Sequence, residues 1–122
     1  MKNRSIILRK TGGFYQVFDD DAYIISYLFS YKVINNKCGF PLSVLCKVVN
    51  TLEDKKINYI IKKEEEEKKD YKRLNNYNKY LDKSIIKRDI DLRIDNILNK
   101  LREFDKDKLD DLLKLIEDKI YE

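Results

Sequence analysis

"GGFYQVFDDDA", residues 12 to 22, sets two glycines ahead of an alternating strand pattern and three consecutive acids behind it. Gly12 and Gly13 can supply the positive φ of a tight hairpin turn, so Ser5 to Arg9 and Phe14 to Phe18 read as two strands joined through "KTGG". Asp19 to Asp21 offer an N-cap and a negative first turn to a helix from about residue 20 to 31, where carboxylates meet the positive end of the helix dipole. Phe14, Gln16 and Phe18 share one strand face, because alternate side chains project to the same side. That face has two readings. A half-buried strand with one polar residue would put Phe14 in the core; alternatively, Phe18 packs and Phe14 is presented to something outside the protein.

Downstream, Ala22, Ile24, Ile25, Leu28 and Phe29 leave the first helix apolar on most sides, which predicts that it is largely buried. A short strand is expected around Val33 and Ile34. Gly39 and Pro41 then punctuate the chain, and Pro41 fits the first position of a second helix running to about Asp54. Leu42, Leu45, Cys46, Val49 and Leu52 recur at helical spacing, which assigns Cys46 to the packing face. "INYIIK", residues 57 to 62, closes the unit as a strand. From Glu64 the character changes to "EEEEKKDYKRLNNYNKY", a charge run followed by an Asn- and Tyr-rich segment without a steady apolar period. Beyond it, Ile86, Ile90, Ile94, Ile97 and Leu101 form one apolar stripe, and Leu109, Leu112, Leu113, Ile116 and Ile120 form a second after a break near Asp105. The expected architecture is a mixed α/β domain over residues 1 to 63, a connector over 64 to 83, and a helical hairpin over 84 to 122. Neither stripe suits water, so the hairpin is expected to pack on the first domain, on itself, on a second copy as a homodimer, or on a protein partner.

Composition narrows the chemistry. A chain of 122 residues is the size of one ordinary domain. Its net charge of +4 is unevenly spread: residues 1 to 63 carry 11 Lys and Arg against 5 Asp and Glu, and residues 64 to 122 carry 15 against 17. A basic first half suits a polyanion such as DNA or RNA, although Lys, Asn, Ile and Tyr are abundant throughout, as an A+T-rich coding sequence would produce. There is no GxxxxGK[ST] phosphate loop, no histidine, and no Ser or Cys in a strand-turn-helix elbow, so a non-enzymatic protein without cofactors is expected. With no histidine, Cys38 and Cys46 cannot complete a four-ligand Cys/His zinc site, and they read as reduced thiols. Asp19 to Asp21 suit helix capping better than a divalent cation. "MKNRSIILRK" is unlike a targeting segment and "AYIISYLFSYKVI" is too short and too interrupted to span a bilayer, so the expected location is cytoplasmic, with no membrane partner.

"GGFYQVFDDDA" resembles the start of the mismatch-recognition domain of the MutS DNA repair proteins, whose pattern is Gly-Asp-Phe-Tyr-Glu-x-Phe, then one residue, two acids and an alanine. "CGFPLSVLCKVVNTLEDKKINYII" is similar to that family's Cys/Ala-Gly-x-Pro loop, the helix after it and the closing strand, with a shorter connection between the two motifs. The resemblance covers roughly residues 4 to 62. It implies that Phe14 enters a minor groove as an apolar wedge and stacks on a mispaired base, while Gln16 hydrogen-bonds that base. A wedge of this kind unstacks a base step at about a few kcal/mol, least where pairing is already poor. Two departures stand out. Gln16 replaces a carboxylate, and an amide donates and accepts without protonation, which alters base selectivity. Leu42 and Ser43 stand where the family commonly has Tyr-His. The chain leaves no room for a clamp, lever or ATPase domain, so the expectation is a stand-alone binding module. Arg9 and Lys10, beside the turn, are candidate phosphate contacts. The alternative is a protein-interaction adaptor with the same fold and no DNA contact.

Overall fold

The computed structural model describes residues 3–122. The opening hairpin forms from β1 (Ile6–Thr11) and β2 (Phe14–Phe18), with Thr11 opposite Phe14 and Gly12 at φ +60. A left-handed residue at that corner is what a two-residue hairpin turn requires, and glycine adopts it without a Cβ clash. The chain continues through α1 (Asp19–Phe29), β3 (Lys37–Pro41), one 3₁₀ turn, α2 (Leu45–Asp54), β4 (Tyr59–Lys62) and β5 (Glu67–Lys69). It ends in two helices, α3 (Tyr77–Arg102) and α4 (Lys106–Ile120). The mixed α/β expectation holds: the strands form one sheet in the order β3-β2-β1-β4-β5, antiparallel except for the parallel pair β1 and β4.

Strand alternation builds the core. Ile6 and Leu8, Tyr15 and Val17, Cys38 and Phe40, and Tyr59 and Ile61 all project to one face. Ala22, Ile24 and Ile25 of α1, Val48 and Leu52 of α2, Ile57, and Tyr77 of α3 complete the same buried cluster. The aromatic part is layered, with Tyr15 on Phe40, Phe40 near Tyr31, and Tyr31 on Phe29 at centroid distances of 5.6 to 6.3 Å.

Several sequence expectations shift. Asn35 and Asn36 adopt φ of +53 and +60 and fold the chain back through an Ile34–Lys37 bridge, so the third strand begins at Lys37 instead of near Val33. Pro41 ends β3, and the helix after it starts at Leu45. Of the expected stripe, Leu52 is buried and Leu45 and Val49 pack against the core, joined by buried Val48, while Cys46 and Leu42 fall on the exposed side. The acids after Phe18 occupy the first turn of α1, but the N-cap is Phe18 itself, with no side-chain bond.

The segment 64 to 83, expected as a connector, folds onto the sheet. Asn58 is buried: its amide donates to Asp70 Oδ1 at 3.0 Å and its carbonyl oxygen accepts from the Tyr71 N–H at 2.7 Å. Asn75 accepts from the N–H groups of Asn58 and Tyr77 and donates to Asn3 Oδ1 and the Arg4 carbonyl. The Lys72 N–H, Asn3 and Asn58 together hold the Asp70 carboxyl below the usual carboxylate range. Asparagine serves here because one side chain both donates and accepts, substituting for ladder bonds the irregular chain lacks. The chain forms two compact units, one ending at Lys87 and one over Arg88–Glu122, so the division falls within α3.

Candidate nucleic-acid interface

The helices of the first unit cover the Tyr15/Val17 side of the sheet, and the opposite side is left open. Phe14 is 54% exposed and Phe18 36%, and Gln16 between them is half-buried. Phe18, expected to pack, therefore stands on the same open face as Phe14, because the core side of β2 is already filled by Tyr15 and Val17.

Strand register defines the neighbours on this face. Gln16 pairs with Gly39 on one side and Arg9 on the other, and Arg9 pairs with Lys62, giving a row across four strands. Phe14 lies between Thr11 and Pro41, and Phe18 is opposite Lys37. Ile60, on the same face, pairs with Ile7 and with Lys68, which places a further cation on the edge strand in the neighbouring row. Gly39 keeps the surface low beside Gln16: a Cβ there would come within 3.9 Å of Gln16 Cγ and 3.4 Å of the Tyr15 carbonyl oxygen. Lys62 is engaged by Glu66 at 2.7 Å, a partly exposed pair that phosphate can compete for.

Arg9 and Lys10 do not act together. Adjacent strand residues point to opposite faces, so Arg9 joins Gln16 while Lys10, paired with buried Tyr15, borders Lys63, Glu64 and Glu65 on the other side. Of the four candidate residues, Phe14, Gln16 and Arg9 share a surface and Lys10 is separated from it. Strand alternation already places Phe18 on this face, whereas the membership of Lys37, Lys62 and Lys68 depends on strand pairing, and the parallel β1–β4 neighbours lie far apart in sequence.

At the α1 end of the face, an open hollow of about 410 Å³ is lined by Arg4, Ile7, Arg9, Phe18 and Asp19 to Asp21. The three acids do not converge as metal ligands. Asp20 pairs with Arg4 at 2.9 Å, and Asp21 accepts from the Ile7 N–H at 3.0 Å and from the Tyr77 hydroxyl. Among the described residues, no three Asp, Glu or Cys side chains are grouped to hold a metal ion. Burial pushes the Asp21 carboxyl above the usual carboxylate range, against the hydrogen bonds from Tyr77 and Ile7 that favour its charge. Burial and Asp21 together push the Tyr77 phenol well above its ordinary value, so that hydroxyl stays protonated as the donor. Asp21 is thus a pin joining the central strand β1 to α1 and α3.

No protein-family model and no curated protein matches the chain. Among the described residues, no helix is long and apolar enough to cross a membrane.

Proposed function

We propose that the open sheet face binds nucleic acid without catalysis, inserting Phe14 at distorted or mispaired DNA. The observation that carries this reading is Phe14: a large aromatic on the hairpin, 54% exposed, on the same face as Gln16 and Arg9. An exposed ring beside the turn can enter a groove and stack on an unpaired or poorly paired base, and deformable sites make that insertion least costly. Gln16, two residues along the strand, offers a donor and an acceptor to a base edge. Arg9, Lys62, Lys68 and Lys37 supply the sequence-independent attraction to phosphates. The resemblance to the MutS mismatch-recognition domain supports the same assignment of Phe14 and Gln16.

A salt-titrated binding series on homoduplex, mismatched, bulged and single-stranded DNA and on RNA tests the proposal. Phe14→Ala should weaken binding to the preferred ligand by about fivefold to a hundredfold, the loss of roughly 1–3 kcal/mol of stacking. Arg9→Ala should weaken all ligands alike and flatten the salt dependence by about one unit of slope. If no ligand binds at low salt, or Phe14→Ala binds every ligand as the parent does, the wedge is wrong. A second reading, a protein-interaction adaptor, is favoured by the carboxylates that border Phe18 in the hollow and oppose phosphate. It predicts the first of those failures.

A further inference from the structure

The unit Arg88–Glu122 leaves its two apolar stripes largely uncovered. Leu101, Phe104, Leu109 and Leu112, the residues nearest the turn, are half-buried. Farther from the turn, Ile90, Ile94 and Ile97 of α3 are 47–56% exposed, and Leu113, Ile116 and Ile120 of α4 are 39–67% exposed. The two helices therefore shield one another only where the chain joins them. Apolar spacing of three and four residues makes each row a continuous stripe that an adjoining helix can cover.

Charge identifies what covers it. Within Arg88–Glu122, the α3 portion carries four Lys and Arg against three Asp and Glu, and α4 carries four against five, so the helices differ little in total charge and the contrast lies beside the stripes. Seven-residue spacing places Arg93 and Lys100 along one flank of the α3 stripe, and Asp110 and Glu117 along one flank of the α4 stripe. The pairs that Lys100 makes with Glu103 and Asp110 with Lys114 are short-range and exposed, so they exchange readily. A partner of one sign would be attracted to one of these flanks and repelled by the other. A second hairpin meets both: its Asp110 and Glu117 flank lies along Arg93 and Lys100 of α3, and its Arg93 and Lys100 flank lies along Asp110 and Glu117 of α4, in a four-helix arrangement.

We infer that the C-terminal helices form a homodimer by packing with those of a second copy, Ile90, Ile94, Ile97, Leu113, Ile116 and Ile120 making the shared apolar core. The inference is independent of nucleic-acid binding. Light scattering across a concentration series of the full chain should approach twice 14.7 kDa. The double variant Ile94→Asp, Ile116→Asp should remain at the single-chain mass, with near-ultraviolet circular dichroism reporting that the tyrosines of the sheet unit stay ordered. Charge variants test the pairing without introducing a polar core residue. Arg93→Glu with Lys100→Glu, and separately Asp110→Lys with Glu117→Lys, should each weaken self-association by about tenfold, and mixing the two should restore the dimer as a heterodimer. A single-chain mass at every concentration overturns the inference. So does a dimer that survives both the Ile94/Ile116 change and the charge changes, because its interface would lie elsewhere.

Discussion

In the unit ending at Lys87, Ile6, Leu8, Ile25 and Leu52 are sealed from water, whereas in Arg88–Glu122 Ile90, Ile94, Ile97 and Ile120 stand in it. Apolar content alone does not separate the two. The sheet unit offers its side chains a second layer, with strand faces receiving helices, while two helices joined at one end offer only each other. The same observation therefore carries different information in each region. In the sheet unit the core is complete, and the exposed Phe14 is set apart from exposed Ile34 and Leu74 by its place beside Gln16 and Arg9 on the open sheet face, where the proposed ligand would meet it. In the helical unit exposure is the rule, and the proposed homodimer would cover it.

Core truncation in the sheet unit should produce the largest effect. Phe40 is 1% exposed and stacked between Tyr15 and Tyr31, so Phe40→Ala should cost about 3–5 kcal/mol in denaturant unfolding. A loss below about 1 kcal/mol would mean that the aromatic layer is not the centre of the fold. An intermediate effect is expected at the pin. Tyr77→Phe removes the hydroxyl that donates to Asp21 and should cost about 1.5–3 kcal/mol near neutral pH. The pH dependence has a definite sign. Because the folded pKa of Asp21 is raised by burial, its contribution to stability is greatest below the ordinary carboxylate pKa and declines as pH rises through the raised folded value. Without the Tyr77 donor that decline steepens, so the stability gap between parent and Tyr77→Phe should widen from acid to neutral pH. A gap that is flat or narrows would show that the hydroxyl does not support the buried charge.

The smallest expected effect sharpens the contrast most. Phe14→Ala should change stability by no more than about 0.5 kcal/mol, although Phe40→Ala removes the same side chain one strand away. Unfolding midpoints measured side by side check this. A cost near that of Phe40→Ala would return Phe14 to the packing reading and remove the main support for an external ligand.

Local signals were legible in the sequence, and tertiary ones were not. Gly12, Gly13 and the alternation through Phe14 to Phe18 specify the hairpin, because turn chemistry and strand period act within a dozen residues. The same period put Phe14 and Gln16 on one face, and pairing with Arg9 followed from the tight turn. The third strand was displaced because Val33 and Ile34 have strand character, whereas the turn that starts β3 depends on two left-handed asparagines. Residues 64 to 83, largely exposed as a connector is, conceal their ties to the sheet for a related reason. Asn58, Asp70 and Asn75 act through side chain to backbone bonds that carry no hydrophobic period, and Tyr77 enters the core as a single residue. Lys62 joined the site only through its pairing with Arg9.

The position of β1 carries a kinetic consequence. On one side it pairs with β2 through a two-residue turn, and on the other Ile6 meets Tyr59, with a third tie when Tyr77 reaches back 56 residues to Asp21. The first pairing closes almost no loop, while the others must overcome the entropy of long closures before their contacts reward it. Assembly thus has a built-in order, hairpin before parallel pair. As the chain is made, the strand at the centre of the sheet waits with one edge unpaired until residues well beyond it have emerged.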